Sequence, residues 1–184
     1  MDIKKGLSYV AFGFLFTLVN FNLTFNGTTV NIVPDFIGWI LFFLAYDKLG
    51  DYLKDKIYLK WMSLGLAIFT AVEWILAIAK PELSMDIVKT VMDIVSIVYT
   101  FILFGALEKI AYDYGSDKES TIHILKYLNI AIYALFVAAA LLSALVDEKY
   151  AVFALVFGLA ALVAAIITCV VLFKLKKEIS EKIQ

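Results

Sequence analysis

The sequence predicts an all-α fold: a polytopic membrane bundle of six transmembrane helices, forming one integral membrane domain over residues 1–184. Hydrophobic residues make up 63% of the chain and charged residues only 18%, whereas soluble domains are about 45–50% apolar. Because one water-soluble core cannot absorb this excess, lipid must solvate much of the protein surface. A membrane-spanning helix needs about 20 apolar residues, and six such segments account for most of the chain. The predicted spans cover residues 7–25, 34–46, 61–79, 87–107, 128–146 and 150–173.

The distribution of lysines predicts how the helices are oriented. All 16 basic residues are lysines, and thirteen of them lie at the N-terminus, between spans two and three, between spans four and five, or in the C-terminal tail. Of the other three, two lie in the remaining connectors and one, Lys89, lies at the start of span four. Since cytoplasmic loops carry an excess of Lys and Arg, we expect both termini in the cytoplasm. Lysine without arginine is typical of AT-rich bacterial genes, so we expect a multi-pass protein of the bacterial cell membrane.

The first span opens like a signal peptide, with Lys4 and Lys5 before an apolar run. No small-residue cleavage motif follows the run, so we expect an uncleaved helix. Within it, Gly13, Thr17 and Asn20 recur at helical spacing and share one face. Small and hydroxyl residues on one face allow close helix packing in lipid. Asn20 lies at the outer end of this face.

A polar stretch separates spans one and two and includes Asn26 and Asn31. Span two begins at Pro34, a favoured first-turn residue, and Asp35 beside it complements the positive end of the helix dipole. Polar and apolar residues alternate before Pro34, so we expect residues 27–33 to form an extended lid over the outer mouth of helices one to four. The alternative is a simple frayed turn, since short connections between helices are common.

Spans three and four carry charges at membrane depth. Glu73 lies inside span three, where a charged side chain costs about 2.5–3.5 kcal/mol unless it is paired, protonated or hydrated. We therefore expect Glu73 to face the bundle and to meet Lys89 or Asp93 of span four. Span four has one polar face at helical spacing, formed by Asp86, Lys89, Asp93, Ser96 and Thr100. The alternatives are structural: a Glu73–Lys89 pair, a Lys89–Asp93 pair within one helix, and an Asp35 that serves only the helix dipole.

Spans one to four are expected to place their hydrogen-bonding and charged groups in one polar layer of the membrane. Spans five and six are mostly apolar and are expected to add little to that layer. Span four is expected to continue towards Gly115, a residue type that commonly ends helices. Ser116 and Glu119 match a capping box for the next helix, and residues 174–184 are interpreted as a solvated tail. One face of span six is expected to seat a neighbouring helix of the same chain. Its small residues are Ala154, Gly158, Ala161, Ala165 and Thr168.

Residues 31–41, NIVPDFIGWIL, resemble a step of the form (D/N)I(L/V)PDFIG(Y/W)IL. This step follows the first hydrophobic segment in an uncharacterised family of small polytopic membrane proteins of Gram-positive bacteria. Asn31 and Trp39 stand where Asp and Tyr are expected in that family. The likeness covers mainly residues 6–49 and implies a membrane location without adding catalytic residues. In architecture, the chain is also similar to the substrate-binding subunits of energy-coupling-factor vitamin transporters, which implies an outward pocket capped by the first loop.

Two classes of function remain. In the first, the protein binds or transports a small cationic or zwitterionic solute, or an ion, at an outward-facing polar site. The candidate ligand-binding residues are Asn20, Asn26, Asn31, Asp35, Glu73, Lys89 and Asp93. In the second, the protein is a non-catalytic accessory or scaffold subunit of a larger membrane complex, and the polar layer is structural. An open cavity lined by carboxylates would favour the first class. A fully paired layer beside an exposed face of small residues would favour the second.

The sequence contains no recognisable catalytic motif. A glycine-rich phosphate loop, a nucleophile elbow and an HExxH motif are all missing from it. His123 is the only histidine and is interpreted as an interfacial residue, and Cys169 in its apolar context is interpreted as packing. We therefore expect no enzyme, no cofactor, no metal and no nucleic-acid partner. The expected partners are the lipid bilayer, a small ligand and, in the second class, another membrane subunit.

Overall fold

The computed structural model describes residues 2–18, 22–25, 28–31, 34–53, 56–79, 86–146 and 148–182. In these ranges the chain forms six α-helices and one two-stranded hairpin. The helices are α1 Ile3–Leu18, α2 Asp35–Leu49, α3 Ile57–Ala79, α4 Asp86–Asp113, α5 Glu119–Leu145 and α6 Ala151–Lys182. The strands are β1 Asn22–Phe25 and β2 Thr28–Asn31. Short 3₁₀ turns at Gly50–Tyr52 and Glu148–Tyr150 precede α3 and α6.

Four of the described helices, α3 to α6, are long and apolar enough to cross a membrane. Many of their apolar side chains point away from the protein, and Trp61 and Leu155 are 63% and 65% exposed. So much apolar surface on long helices requires lipid as its solvent. The protein is therefore an integral membrane protein with several spans, and the predicted helical membrane bundle is confirmed.

The helices α1 and α2 are shorter, with 16 and 15 residues. At 1.5 Å per residue they measure about 24 and 22 Å, which is less than the hydrocarbon core of about 30 Å. The count of six spans and the cytoplasmic position of both termini therefore stay predictions.

The first predicted span is wrong at its outer end. The helix α1 ends at Leu18, and residues 22–25 form β1, which pairs antiparallel with β2. Asn26-Gly27 between the strands is a dipeptide that favours a two-residue hairpin connection, and pairing in the hairpin replaces the helix predicted there. Residues 28–31 are extended and contact α3, as the lid prediction expects. The rest of the predicted lid, residues 27, 32 and 33, lies outside the described residues.

Predicted spans two to five lie within α2 to α5, except for one residue at the start of span two and one at the end of span five. The helix α6 continues past the predicted end of the sixth span, to Lys182. Leu175 and Ile179, expected in a solvated tail, are fully buried against the bundle. The four lysines of residues 174–184 favour a solvated tail. The apolar residues of this segment, however, recur at helical spacing and pack against the bundle.

The end of α4 is confirmed near Gly115, which has a φ of 57°. The Ser116 N–H donates to the Ala111 carbonyl at 2.9 Å, as in a Schellman motif. The predicted capping box forms only in part. The Ser116 hydroxyl oxygen accepts a hydrogen bond from the Lys118 N–H at 3.1 Å, but the Ser116 N–H bonds to Ala111 and not to Glu119. The Ser116 hydroxyl also donates to the Glu178 carboxylate of α6, a residue far away in sequence.

Consecutive helices pack side by side, and α6 closes the ring against α1. The contact between α3 and α4 is much the smallest of any consecutive pair. Five aromatic rings fill the space between α1, α2 and α4, with neighbouring centroids 5.1 to 5.5 Å apart. These rings, the aromatic cluster, belong to Phe14, Trp39, Phe42, Tyr99 and Phe104.

Glycine allows α1 and α2 to approach closely. A Cβ atom placed on Gly38 would lie 2.7 Å from the Gly13 carbonyl oxygen and 2.5 Å from Thr17 Cγ2. Both distances are shorter than a side chain tolerates, so only glycine fits at this crossing. The prediction that the face with Gly13 and Thr17 packs closely against a helix is confirmed.

The small-residue face of α6 seats α5, as predicted. Gly158 lies against the Phe136 ring of α5, and Ala161, Ala165 and Thr168 are buried. On the other side of α6, Cys169 is buried, and its thiol donates to the Ala11 carbonyl at 3.0 Å, which agrees with its interpretation as packing.

Candidate functional site

A cavity of about 90 Å³ lies among α1 to α5, near the end where α2 and α4 begin. Its charged lining residues, within the described part of the chain, are Asp35, Glu73, Lys89 and Asp93. The aromatic cluster contributes Phe14, Trp39 and Phe42, and the polar uncharged lining residues are Thr17, Thr70, Ser96, Thr100, Asn129 and Tyr133. This charged cavity brings together four of the seven candidate residues predicted from the sequence.

The other three candidates are asparagines. Asn20 and Asn26 lie outside the described residues. Asn31 pairs with Asn22 in the hairpin, but its side chain lies outside the described part.

Helix geometry places each charged residue of the cavity. Asp35 is the first residue of α2 and follows Pro34, whose extended backbone has φ −69° and ψ 132°. Glu73 lies six residues before the end of α3, about 9 Å along its axis. Lys89 and Asp93 are one turn apart on α4 and share a face. The four charges come from three different helices, so only the packing of the bundle brings them into one cavity.

The predicted contact between Glu73 and α4 is confirmed. Lys89 Nζ lies 3.1 Å from Glu73 Oε1, across the weak contact between α3 and α4. The lysine side chain is 56% exposed and the glutamate side chain 33%, so the pair stands at the mouth of the cavity. Lys89 also interacts electrostatically with Asp93 and Asp35, which makes it the shared counter-charge of three carboxylates.

Three hydroxyl groups around the cavity donate their protons to carbonyls of their own helices. The Thr17 and Thr70 hydroxyls each donate to the carbonyl four residues earlier, at 3.0 and 2.8 Å, and Ser96 donates to the carbonyl three residues earlier, at 2.7 Å. A hydroxyl has one proton and two lone pairs, so each of these oxygens can only accept a further hydrogen bond. Together with the carboxylates they form an acceptor-rich wall, which suits a cation rather than an anion.

Sequence reasoning missed the contribution of α5. Asn129 is 3% exposed, and its Nδ2 donates to Thr168 Oγ1 of α6 at 3.2 Å and to the carbonyl four residues earlier at 2.8 Å. Tyr133, one turn further along, also lines the cavity. The expectation that helix five adds little to the polar layer is therefore wrong. The available signal was two polar residues four apart in an otherwise apolar run.

A second, wider depression of about 730 Å³ lies at the other end of α4. There His123 Nδ1 is 2.7 Å from Glu108 Oε1, and both side chains are partly exposed, in keeping with the interpretation of His123 as interfacial. Among the described residues, no group of three or more His, Cys, Asp or Glu side chains is placed to hold a metal ion.

No protein-family model, curated protein or solved structure matches this chain.

Proposed function

We propose that this protein binds a small monovalent cation in the charged cavity, which faces outward from a bacterial cell membrane. The observation that carries the proposal is the charge of the cavity. Among its described lining residues, three carboxylates, Asp35, Glu73 and Asp93, face a single lysine. Because charges taken out of water are costly unless they are neutralised, a lining with more negative than positive groups favours uptake of a cation.

The size of the cavity defines the class of ligand. A volume of about 90 Å³ holds several water molecules, since one water needs about 10–15 Å³ of such space. Pockets for drug-sized ligands measure about 300–1,000 Å³, so a vitamin-sized ligand is too large. The carboxylates stand on three separate helices, which suits an ion such as ammonium or methylammonium that can donate hydrogen bonds to several walls at once. A zwitterion fits less well, because its carboxylate would need donors, and the hydroxyls of Thr17, Thr70 and Ser96 donate to their own helices.

The distribution of lysines supports the outward direction. Lys4 and Lys5 stand at the start of α1, at the end of the bundle away from the cavity, and Lys174 and Lys177 follow in the last part of α6. By the positive-inside rule this end is cytoplasmic. The charged cavity then opens toward the outer leaflet.

The accessory-subunit role receives no comparable support from the described residues. It would use an exposed face of small residues, but the small-residue face of α6 packs against α5.

Cation-dependent thermal stabilisation of the purified protein tests the proposal. In detergent at constant ionic strength, ammonium, methylammonium, Na⁺ and K⁺ would each be compared with the bulky cation N-methylglucamine. A ligand at 100 times its Kd stabilises by about 2.7 kcal/mol, or roughly 5–10 °C in Tm for a chain of this length. We expect such a shift for at least one small cation.

Two variants locate the binding. Asp93→Asn should abolish the shift, because it removes a carboxylate of the cavity. Glu181→Gln is the matched control: it removes a carboxylate whose side chain is 64% exposed on α6, and it should keep the shift. No small-cation shift in the unaltered protein, or an equal shift in Asp93→Asn, would contradict the proposal.

A further inference from the structure

We propose that Lys89 is a tethered competitor at the cation site: its ammonium group occupies the binding position, and an external ammonium ion binds by displacing it. The inference rests on the proposed function and adds both the class of preferred ligand and the control of its access. The preferred ligands are ammonium and small primary alkylammonium ions, because they carry the head group that the cavity already holds.

The position of Lys89 is that of a bound ligand. Its Nζ atom lies 3.1 Å from Glu73 Oε1, at the mouth of a cavity that Asp35 and Asp93 also line. An ammonium group donates up to three hydrogen bonds and accepts none, which matches carboxylate oxygens and the three hydroxyls whose protons bond to their own helices. The chain therefore supplies a primary ammonium ion to its own site.

Lys89 also has a path out of the site. It is the fourth residue of α4, about 5 Å from the helix start, and its side chain is 56% exposed. Lysines near helix ends extend toward the membrane interface and keep their charge in water. Since α3 and α4 share so little contact beside it, the side chain can move outward without separating closely packed helices.

Charge balance makes the movement an exchange. When the Lys89 ammonium leaves, Glu73 loses its ion-pair partner, and no other positive side chain of the described residues lines the cavity. A carboxylate at membrane depth is costly without a counter-charge, so another cation takes the place of the lysine. One monovalent cation replaces one ammonium group, and the charge of the cavity stays constant. Tetramethylammonium lacks N–H donors and should not exchange.

Calorimetric titration with methylammonium tests the tether. Lys89→Ala should lower the Kd for methylammonium about tenfold. This factor applies when the Lys89 ammonium occupies the site about nine-tenths of the time, because only the vacant fraction of the protein can then bind the ligand. Lys60→Ala is the matched control, because Lys60 forms an ion pair of 2.7 Å with Asp47 elsewhere in the bundle. It should leave the Kd unchanged.

A second measurement uses the unaltered protein and holds even where Lys89→Ala fails to fold. A water-soluble acetylating reagent modifies free lysine amines, and mass spectrometry reports the extent of modification at each lysine. Methylammonium should raise the acetylation of Lys89, with a midpoint at its Kd, while the acetylation of Lys60 stays constant and tetramethylammonium has no effect.

The outcomes separate the two proposals. One outcome is that methylammonium binds with a Kd that is the same in Lys89→Ala and in the unaltered protein, and has no effect on the acetylation of Lys89. In that case Lys89 is not a competitor, and the cation site remains. If no cation binds to either the unaltered protein or Lys89→Ala, the proposed function itself is wrong.

Discussion

The crossing of α1 and α2 should not tolerate a methyl group at Gly38. In Gly38→Ala, the added Cβ would meet the Gly13 carbonyl oxygen at 2.7 Å and the Thr17 backbone nitrogen at 2.9 Å. Both are backbone atoms, so no side-chain rotation can relieve the contact. The helix α1 has to move away from α2, and the wall of the charged cavity formed by Thr17 moves with it.

The size of the effect follows from two opposing contributions. Overpacking a closely packed site costs about 1–3 kcal/mol, while replacing a helical glycine by alanine stabilises by up to about 1 kcal/mol. The difference between the two cannot exceed about 3 kcal/mol and centres on a net loss of about 1–2 kcal/mol, which corresponds to roughly 2–8 °C in Tm for a chain of this length.

Gly65→Ala provides a matched control on α3. A Cβ at Gly65 would meet no atom of the protein within 4 Å, so only the gain in helix propensity remains, and Tm should stay equal or rise. The single cysteine serves as the reporter in both variants, because Cys169 is 8% exposed and its thiol reacts with a fluorogenic maleimide only once the protein unfolds.

The prediction requires that the Tm of Gly38→Ala is lower than that of the unaltered protein and lower than that of Gly65→Ala. If Gly38→Ala melts as high as Gly65→Ala, the close contact between α1 and α2 is wrong, and with it the position of α1 beside the cavity.

Three further predictions concern α5, the end of α4 and the topology. Asn129→Ala should lower stability by about 1 kcal/mol, since an interhelical hydrogen bond in a membrane is worth about that much, and a Tm equal to that of the unaltered protein would show that the Asn129–Thr168 bond does not contribute. Gly115→Ala should cost about 1–2 kcal/mol, the penalty for a side chain at positive φ, read from the same melting curve; an unchanged Tm would contradict the left-handed turn. In a Cys169→Ser background, Thr28→Cys should react with an impermeant maleimide on intact cells and Glu119→Cys only after lysis; labelling of both from the same side would contradict the predicted topology.

The sequence by itself determined the helical membrane class, the positions of most helices and one long-range contact. These features depend on local chemistry. Length and hydropathy select the spanning helices, and helical spacing places Lys89 and Asp93 on one face. The contact of Glu73 with α4 was predictable because a carboxylate at membrane depth needs a partner, and a neighbouring helix supplied a cation at the corresponding level.

Only the tertiary structure decided where α1 ends, which side chains of α5 reach the cavity and how the end of α6 packs. Residues 22–25 are too few for periodicity to distinguish a helix from a strand, and pairing with residues 28–31 selects the strand. Asn129 reaches the cavity because α5 lies beside α4, and Ser116 bonds to Glu178 because α6 returns past the end of α4. Such contacts join residues far apart in sequence. Periodicity describes only neighbouring residues of one segment, so it cannot predict which distant segments come into contact.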